Sequence, residues 1–228
     1  MEYKIICLIG PSGAGKTTIA EGMASTSMIS HIASYTTRPM RNGEENGREH
    51  RFVADYEANK HIVVKNHIAA FAKIGGYRYF TTWQQLTERK YMIYVIDENG
   101  YKMLKQNIAQ KKYLNELDNL DSFRLIPVQL KRSHKDIAKS VEVTTERMMR
   151  DKDRAALAPG EYAIIIINDA ATAEQTHLWS VAFAETLVRV FAEGKDFSKQ
   201  LFLRTSELCC YEDIESRLKK INNTKNYK

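Results

Sequence analysis

No segment of this 228-residue chain approaches the length of apolar sequence that a membrane crossing requires, about 20 residues. Cysteine is equally sparse. There are three, Cys7 inside an apolar run and the adjacent Cys209 and Cys210, a set with neither a disulfide framework nor metal-ligand spacing. That usage points to a reducing, cytoplasmic compartment. The first residues lack a basic stretch and a small-residue cleavage site, so "YKIICLIG" is expected as a strand and not as a signal peptide. No internal repeat is present, and no histidine–aspartate pair stands out as a catalytic couple. Basic runs interleaved with stacking aromatics, which mark binders of single-stranded nucleic acid, are missing too. The formal charge of +6 and pI of about 9.1 are therefore read as a pocket for polyanionic small molecules plus a lysine-rich tail, with nucleic acid the weaker alternative.

What is there suits one domain with a full core, 43% of residues being hydrophobic and 27% charged. Four apolar runs read as buried strands: Ile5–Ile9, Met92–Ile96, Ser122–Leu130 and Tyr162–Asp169. Helical periods lie between and after them, at Thr17–Ala24, Tyr101–Leu117, Ser133–Ala156 and Thr172–Phe191. Strands alternating with helices imply an α/β fold with a parallel sheet wrapped on both sides. Residues 34–82 break that rhythm. They are short-patterned, polar and rich in glycine, threonine and aromatics, and read as hairpins of an inserted lobe. After Phe191 the pattern fades into "EGKDFSKQ", a linker by composition. "ELCCYEDIESRLKKI" then places Leu208, Tyr211, Ile214, Leu218 and Ile221 on one helical face, and "NNTKNYK" reads as a disordered end. The expected division is a domain over 1–192 and a C-terminal extension over 193–228.

"GPSGAGKTT", Gly10–Thr18, satisfies G-x-x-x-x-G-K-[ST] with a strand before it and a helix after it. Glycines let backbone N–H groups curl around a phosphate, and the helix N-terminus adds partial positive charge. Gly10, Ser12, Gly13, Ala14, Gly15, Lys16, Thr17 and Thr18 are thus the expected ATP cradle. Lys16 would reach the terminal phosphates and the Thr17 hydroxyl would ligate Mg²⁺. Asp97 ends the run "MIYVID", where an acid can help hold that metal or can simply cap the next helix. A second phosphate grip follows in "SYTTRPMRNGEENGREHRFV", where Arg38 and Arg41 offer planar forks that fit phosphate.

Here the chain resembles the guanylate kinase family. That family's acceptor lobe carries T-T-R-x-x-R-x-G-E-x-x-G-x-x-Y-x-F-V, against Thr36, Thr37, Arg38, Arg41, Gly43, Glu44, Gly47, His50, Phe52 and Val53 here. "GGYRYFTT", "VIDENG" and "IIIND" follow in the family's order, and the likeness spans about residues 1–190. It implies a three-layer P-loop NTPase fold with a parallel core sheet, an inserted acceptor-binding lobe at about 34–82 and a helical lid at about 133–157. It also implies ATP with Mg²⁺ as phosphoryl donor and a nucleoside monophosphate, GMP or dGMP, as acceptor. Carried over by position, Ser34 and Thr81 match base-contacting residues, and Arg38, Arg41, His50 and Tyr79 match the grip on the acceptor phosphate. Asp97 belongs to the same acceptor side, and Asn168 with Asp169 matches the pair near the donor base. Arg147 aligns with an arginine that touches the transferring phosphate; Arg150 and Arg154 share its helical face.

Three departures qualify that picture. The family's phosphate-site tyrosine is His50 here, the first acid of its D-x-D strand end is Val95, and its guanine-reading glutamate aligns with Ala70. "HIAAFAKIGGYRYFTT" accordingly contains no acid at all. A guanine would leave two donors facing a methyl group, at about 1–3 kcal/mol each. The usual Arg-Gly-Thr-Glu lid sequence is also missing. Two other readings stay open: a P-loop kinase with a different phosphorylated acceptor, and a catalytically silent protein-binding module of the same family. The intact Lys16 and Thr17 speak against the second.

Overall fold

The computed structural model describes residues 1–62, 64, 67–112, 122–132, 157–195, 197, 200–207 and 211–223. Its strands are β1 (Glu2–Ile9), β2 (Ser30–His31), β3 (Ser34–Thr36), β4 (His50–Phe52), β5 (Ile68–Ile74), β6 (Tyr77–Thr82), β7 (Tyr91–Val95), β8 (Ser122–Lys131), β9 (Ile164–Ile167) and β10 (Leu201–Arg204). Its helices are α1 (Lys16–Ala24), α2 (Asp55–Ile62), α3 (Glu98–Ala109), α4 (Ala173–Ala192) and α5 (Tyr211–Asn223).

Strand alternation divides the apolar runs between two cores. Along β1, Ile6 and Leu8 join one buried cluster while Ile5, Cys7 and Ile9 join the other. The isoleucines of β9 split the same way, Ile164 and Ile166 against Ile165. These strands lie in a six-stranded sheet of order β10-β9-β8-β1-β7-β2, every pair of it parallel. Helices α1, α4 and α5 cover one face, through Ile19, Phe183, Leu187, Ile214 and Leu218. The other face packs under α3 and the inserted lobe, through Tyr101, Leu104, Ala69 and Ala70. The expected three-layer α/β fold is what the chain forms.

The lobe is a second sheet of order β4-β3-β6-β5. Its β5–β6 hairpin turns on Gly75 and Gly76, both at positive φ of 57° and 84°, as a two-residue turn demands. Reading the lobe as hairpins alone missed two features. β3 and β4 run parallel, and α2 crosses between them and β5. That helix buries only Ala58, but Asp55 and Glu57 in its first turn and Lys60 and His61 in its last complement its dipole. Helix α3 also starts earlier than its apolar period, because the Asp97 carboxylate accepts from the Gly100 N–H at 2.6 Å.

The stretch from 193 onward does more than its composition suggested. β10 adds to the core sheet beside β9, with Leu201 and Leu203 buried, and α5 buries Ile214 and Leu218 as its apolar face implied. Leu208, the adjacent cysteines and most of the expected lid, 133–156, lie outside the described residues, and with them Arg147, Arg150 and Arg154.

Candidate active site

Because the core strands are parallel, β1, β7, β8 and β9 all end along one edge of the sheet, and ligand crevices open at such edges. The phosphate loop emerges there from β1. Gly15 opens α1 at φ 94°, a conformation that costs other residues dearly. A Cβ on it would also stand 2.3 Å from the Asn168 amide nitrogen, so the position has neither the backbone nor the room for a side chain. Asn168 uses that approach to donate to the Ala14 carbonyl at 2.8 Å. Arg132, at the end of β8, donates to the Gly13 carbonyl at 3.1 Å. Lys16 folds back on its own loop, donating to the Gly10 and Pro11 carbonyls at 2.8 and 2.7 Å. Thr17 and Thr18 follow in the first turn of α1.

Across from this loop the lobe presents its cations. A cleft of about 410 Å³ is lined by Ser12 and Lys16 from the loop, and by Arg38, Arg41, His50 and Tyr79 from the lobe. Arg38 is 7% exposed and is held by a two-pronged bond to Glu44, at 2.9 and 2.8 Å. Burial opposes its charge, but Glu44 and the neighbouring Tyr79 more than compensate and raise its pKa. Burial likewise pushes the Glu44 carboxyl up, and Arg38 and the Arg41 amide outweigh it, keeping the carboxyl below its usual range. The buried Nε of Arg38 finds no hydrogen-bond partner among the described residues. His50 meets the Ser34 hydroxyl at 3.0 Å through Nδ1. Burial and the nearby Arg38 charge lower its pKa to about 4, so it is neutral at pH 7.

On the wall beside β7 the cleft holds a neutral pair, with Asp97 and Glu98 following it along the chain. Ala70 is buried and pairs with Thr81 across the β5–β6 ladder, so the two side chains share a face. Thr81 is fully buried, and its hydroxyl donates to the Tyr94 hydroxyl at 2.5 Å. Tyr94 comes from β7 on the core sheet and its side chain lines the cleft, whereas those of Ala70 and Thr81 do not. Burial pushes the Tyr94 phenol well above its ordinary pKa, so it stays protonated. Phe71, Ala72, Lys73, Val95, Ile96, Asp97, Glu98 and Asn99 also line the cleft.

The structure therefore brings Lys16, Ser12, Ser34, Arg38, Arg41, His50, Tyr79 and Asp97 to one cleft. Thr81 reaches it only through Tyr94, and Asn168, 6% exposed, stands behind the phosphate loop as a brace. Sequence reasoning missed Glu44, Tyr94 and Arg132. Glu44 lay within the quoted lobe pattern but was given no partner. Arg132 was findable from the strand-end rule, and Tyr94 is the one hydroxyl on the lobe-facing side of β7. Asp97 spends an oxygen on the α3 cap and still lines the cleft. Among the described residues no three His, Cys, Asp or Glu side chains gather as a metal cluster. Asp97 puts a carboxylate on the cleft, the kind of hard oxygen donor that Mg²⁺ takes beside phosphate and water. No described helix is long and apolar enough to cross a membrane.

The model of the family described as guanylate kinase matches residues 2–185. A guanylate kinase of Geobacter sulfurreducens is 31% identical over 195 residues, covering 81% of this chain and 90% of that one. One of Lactobacillus johnsonii is 26% identical over 200 residues, covering 79% and 88%. Among solved structures, a guanylate kinase of Anaplasma phagocytophilum aligns over 99% of this chain and 87% of its own, at 16% identity and a TM-score of 0.40. A family match over most of the chain, on a fold whose phosphate loop faces a lobe of paired arginines, makes this chain a member of the guanylate kinase family and a nucleoside monophosphate kinase.

Proposed function

We propose that the chain moves the γ-phosphoryl of ATP onto a nucleoside monophosphate, GMP or dGMP among them, while selecting weakly for guanine. The observation that carries this reading is the shared cleft, with Lys16 on one wall and Arg38, Arg41, His50 and Tyr79 on the other. One wall suits the donor phosphates and the other the acceptor phosphate. The acceptor oxygen is already anionic at neutral pH, so no general base is needed, and positioning with charge neutralisation carries the catalysis. Lys16 leaves its loop carbonyls for the donor phosphates. Arg38, preset by Glu44, brings its charge to the acceptor phosphate, with Arg41 and Tyr79 beside it. Thr17 and Asp97 are the residues that would hold Mg²⁺, which when bound spreads the charge of the phosphates. Arg147 is proposed to reach the transferring group from the lid.

Weak base selection follows from the neutral pair. Tyr94 spends one lone pair on Thr81, leaving one donor and one acceptor for a base. Guanine's N1–H and 2-amino group together need two acceptors. A panel of monophosphates tested with ATP and Mg²⁺ checks both parts. Turnover of GMP and of at least one other monophosphate at comparable kcat/KM is expected. No turnover with any of them would sink the kinase reading, and strict use of GMP would sink the base reading.

A further inference from the structure

Residues beyond 185 fall outside the family match, yet one of them is wired into the phosphate loop. Thr205 follows β10 and is 5% exposed. Its hydroxyl accepts from the backbone N–H groups of Asp169 and Ala170, both at 2.9 Å, and donates to the Asn168 Oδ1 at 3.0 Å. A hydroxyl has one donor and two acceptor positions, and all three are used. The Oδ1 of Asn168 receives a second bond from Thr176 at 3.1 Å, so its Nδ2 is turned to the Ala14 carbonyl. Two further contacts pin the same corner: Arg204 pairs with Asp169 at 2.6 Å, and the Ser206 N–H reaches the Asp169 carboxylate at 3.0 Å.

We infer that Thr205 is a positioning residue for nucleotide binding, through which the C-terminal strand sets the phosphate loop. The physical link is the planarity of one peptide. In a trans peptide the C=O and the following N–H point in opposite directions. Drawing the Ala14 carbonyl back onto Asn168 therefore turns the Gly15 N–H away from it, as one of the loop's phosphate donors. Thr205 fixes the Asn168 amide from behind and the two amides after it from the side. Without that hydroxyl, the buried Asn168 amide and the backbone N–H groups of Asp169 and Ala170 each lose a partner, and Thr176 alone is left to hold the Asn168 Oδ1. The C-terminal segment is then a component of the ATP site and not an appendage. The inference rests on the reading that this loop binds ATP.

Thr205→Val keeps the shape and removes the hydroxyl. Titration calorimetry with Mg²⁺ and ATP, alongside steady-state kinetics, should show ATP affinity falling about tenfold, while the KM for the monophosphate stays within about twofold. Thr205→Ser, which restores the hydroxyl, should return ATP affinity to the wild-type value. Leu218→Ala, in the buried face of α5, should lower the melting temperature without moving ATP affinity. Unchanged ATP affinity in the valine variant would overturn the inference, as would an equal loss in Leu218→Ala. If the valine variant does not fold, amide exchange of the wild-type chain decides. Mg²⁺ with ATP should slow exchange of the Thr205 N–H, which bonds the Ile167 carbonyl at 3.0 Å, and an unchanged rate would overturn the coupling. A wild-type chain that binds no ATP in the first titration would remove the kinase reading itself, an outcome separate from either of these.

Discussion

At one end of the cleft Arg38 meets Glu44 through two charge-assisted bonds; at the other Thr81 meets Tyr94 through a single neutral one. Both residues of the neutral pair are buried, while in the charged one Arg38 is buried and Glu44 half-buried. They differ in what they leave over for a ligand. The charged pair leaves a net positive region with Arg41 and Lys16, which on the proposed reading would attract an anion whatever that anion is attached to. The neutral pair leaves one donor and one acceptor, which most bases can satisfy in part. Strong phosphate recognition and weak base recognition can thus sit in one pocket, because each depends on a separate set of groups.

The largest effect should come from breaking the charged end. Arg38→Met removes the fork and strands a half-buried Glu44 carboxylate. Truncating one partner of such a pair costs about 2–5 kcal/mol, or roughly thirtyfold to several-thousandfold in kcat/KM. The same factor is expected for every monophosphate in a kinetic panel. A loss confined to one base would mean that the two ends are not separable.

The next effect is at the neutral end and needs two substitutions. Ala70→Glu alone would press a carboxylate into a buried site packed under Tyr94, within the same core cluster. It should lower stability by about 1–3 kcal/mol, as an unpaired buried group does, visible as a lower melting temperature. Adding Tyr94→Leu vacates the phenol's place and gives the carboxylate access to the cleft. The double variant should favour GMP over other monophosphates by about tenfold relative to the parent. Equal base use by the double variant would show that another group decides the base.

This coupling also marks where the sequence ran out. The phosphate loop, the paired arginines and four of the core strands were legible because each is local: a spacing, or an apolar run with turn residues at its ends. The departure at Ala70 was legible as well, since it sits within a recognisable hairpin. What packs beside that hairpin was not. Tyr94 lies on a different sheet, and only the packing of the lobe against the core sheet brings it to Thr81. β10 fell unremarked inside the C-terminal extension: it is four residues long, and its Phe202 and Arg204 face solvent. Its pairing with β9 is a long-range fact that no local period announces.

His50 sharpens the comparison by pH. Its pKa of about 4 in the folded chain lies below the ordinary histidine value near 6.5. Between those values the unfolded chain binds more protons there, so this group's contribution to stability is complete above about pH 6.5 and drains away as pH falls toward 4. His50→Gln should flatten that part of the acid limb in a series of thermal melts. Identical limbs in the two proteins would mean that the imidazole is not held neutral beside Arg38.

The smallest effect belongs to Thr81→Val, and it separates the two ends most cleanly. The substitution removes one neutral hydrogen bond, a contribution of about 0.5–1.5 kcal/mol, and leaves the Tyr94 phenol in place with one more free lone pair. Discrimination among bases should therefore shift a few-fold, with guanine gaining because the phenol can now accept more readily. Ribose 5-phosphate carries the phosphate and no base, so its inhibition constant reads the charged end alone. That constant should stay put in Thr81→Val and rise steeply in Arg38→Met. If Thr81→Val weakened ribose 5-phosphate as much as it altered GMP, the Thr81–Tyr94 bond would be holding the lobe against the core sheet. Phosphate and base recognition would then be two readouts of a single lobe position.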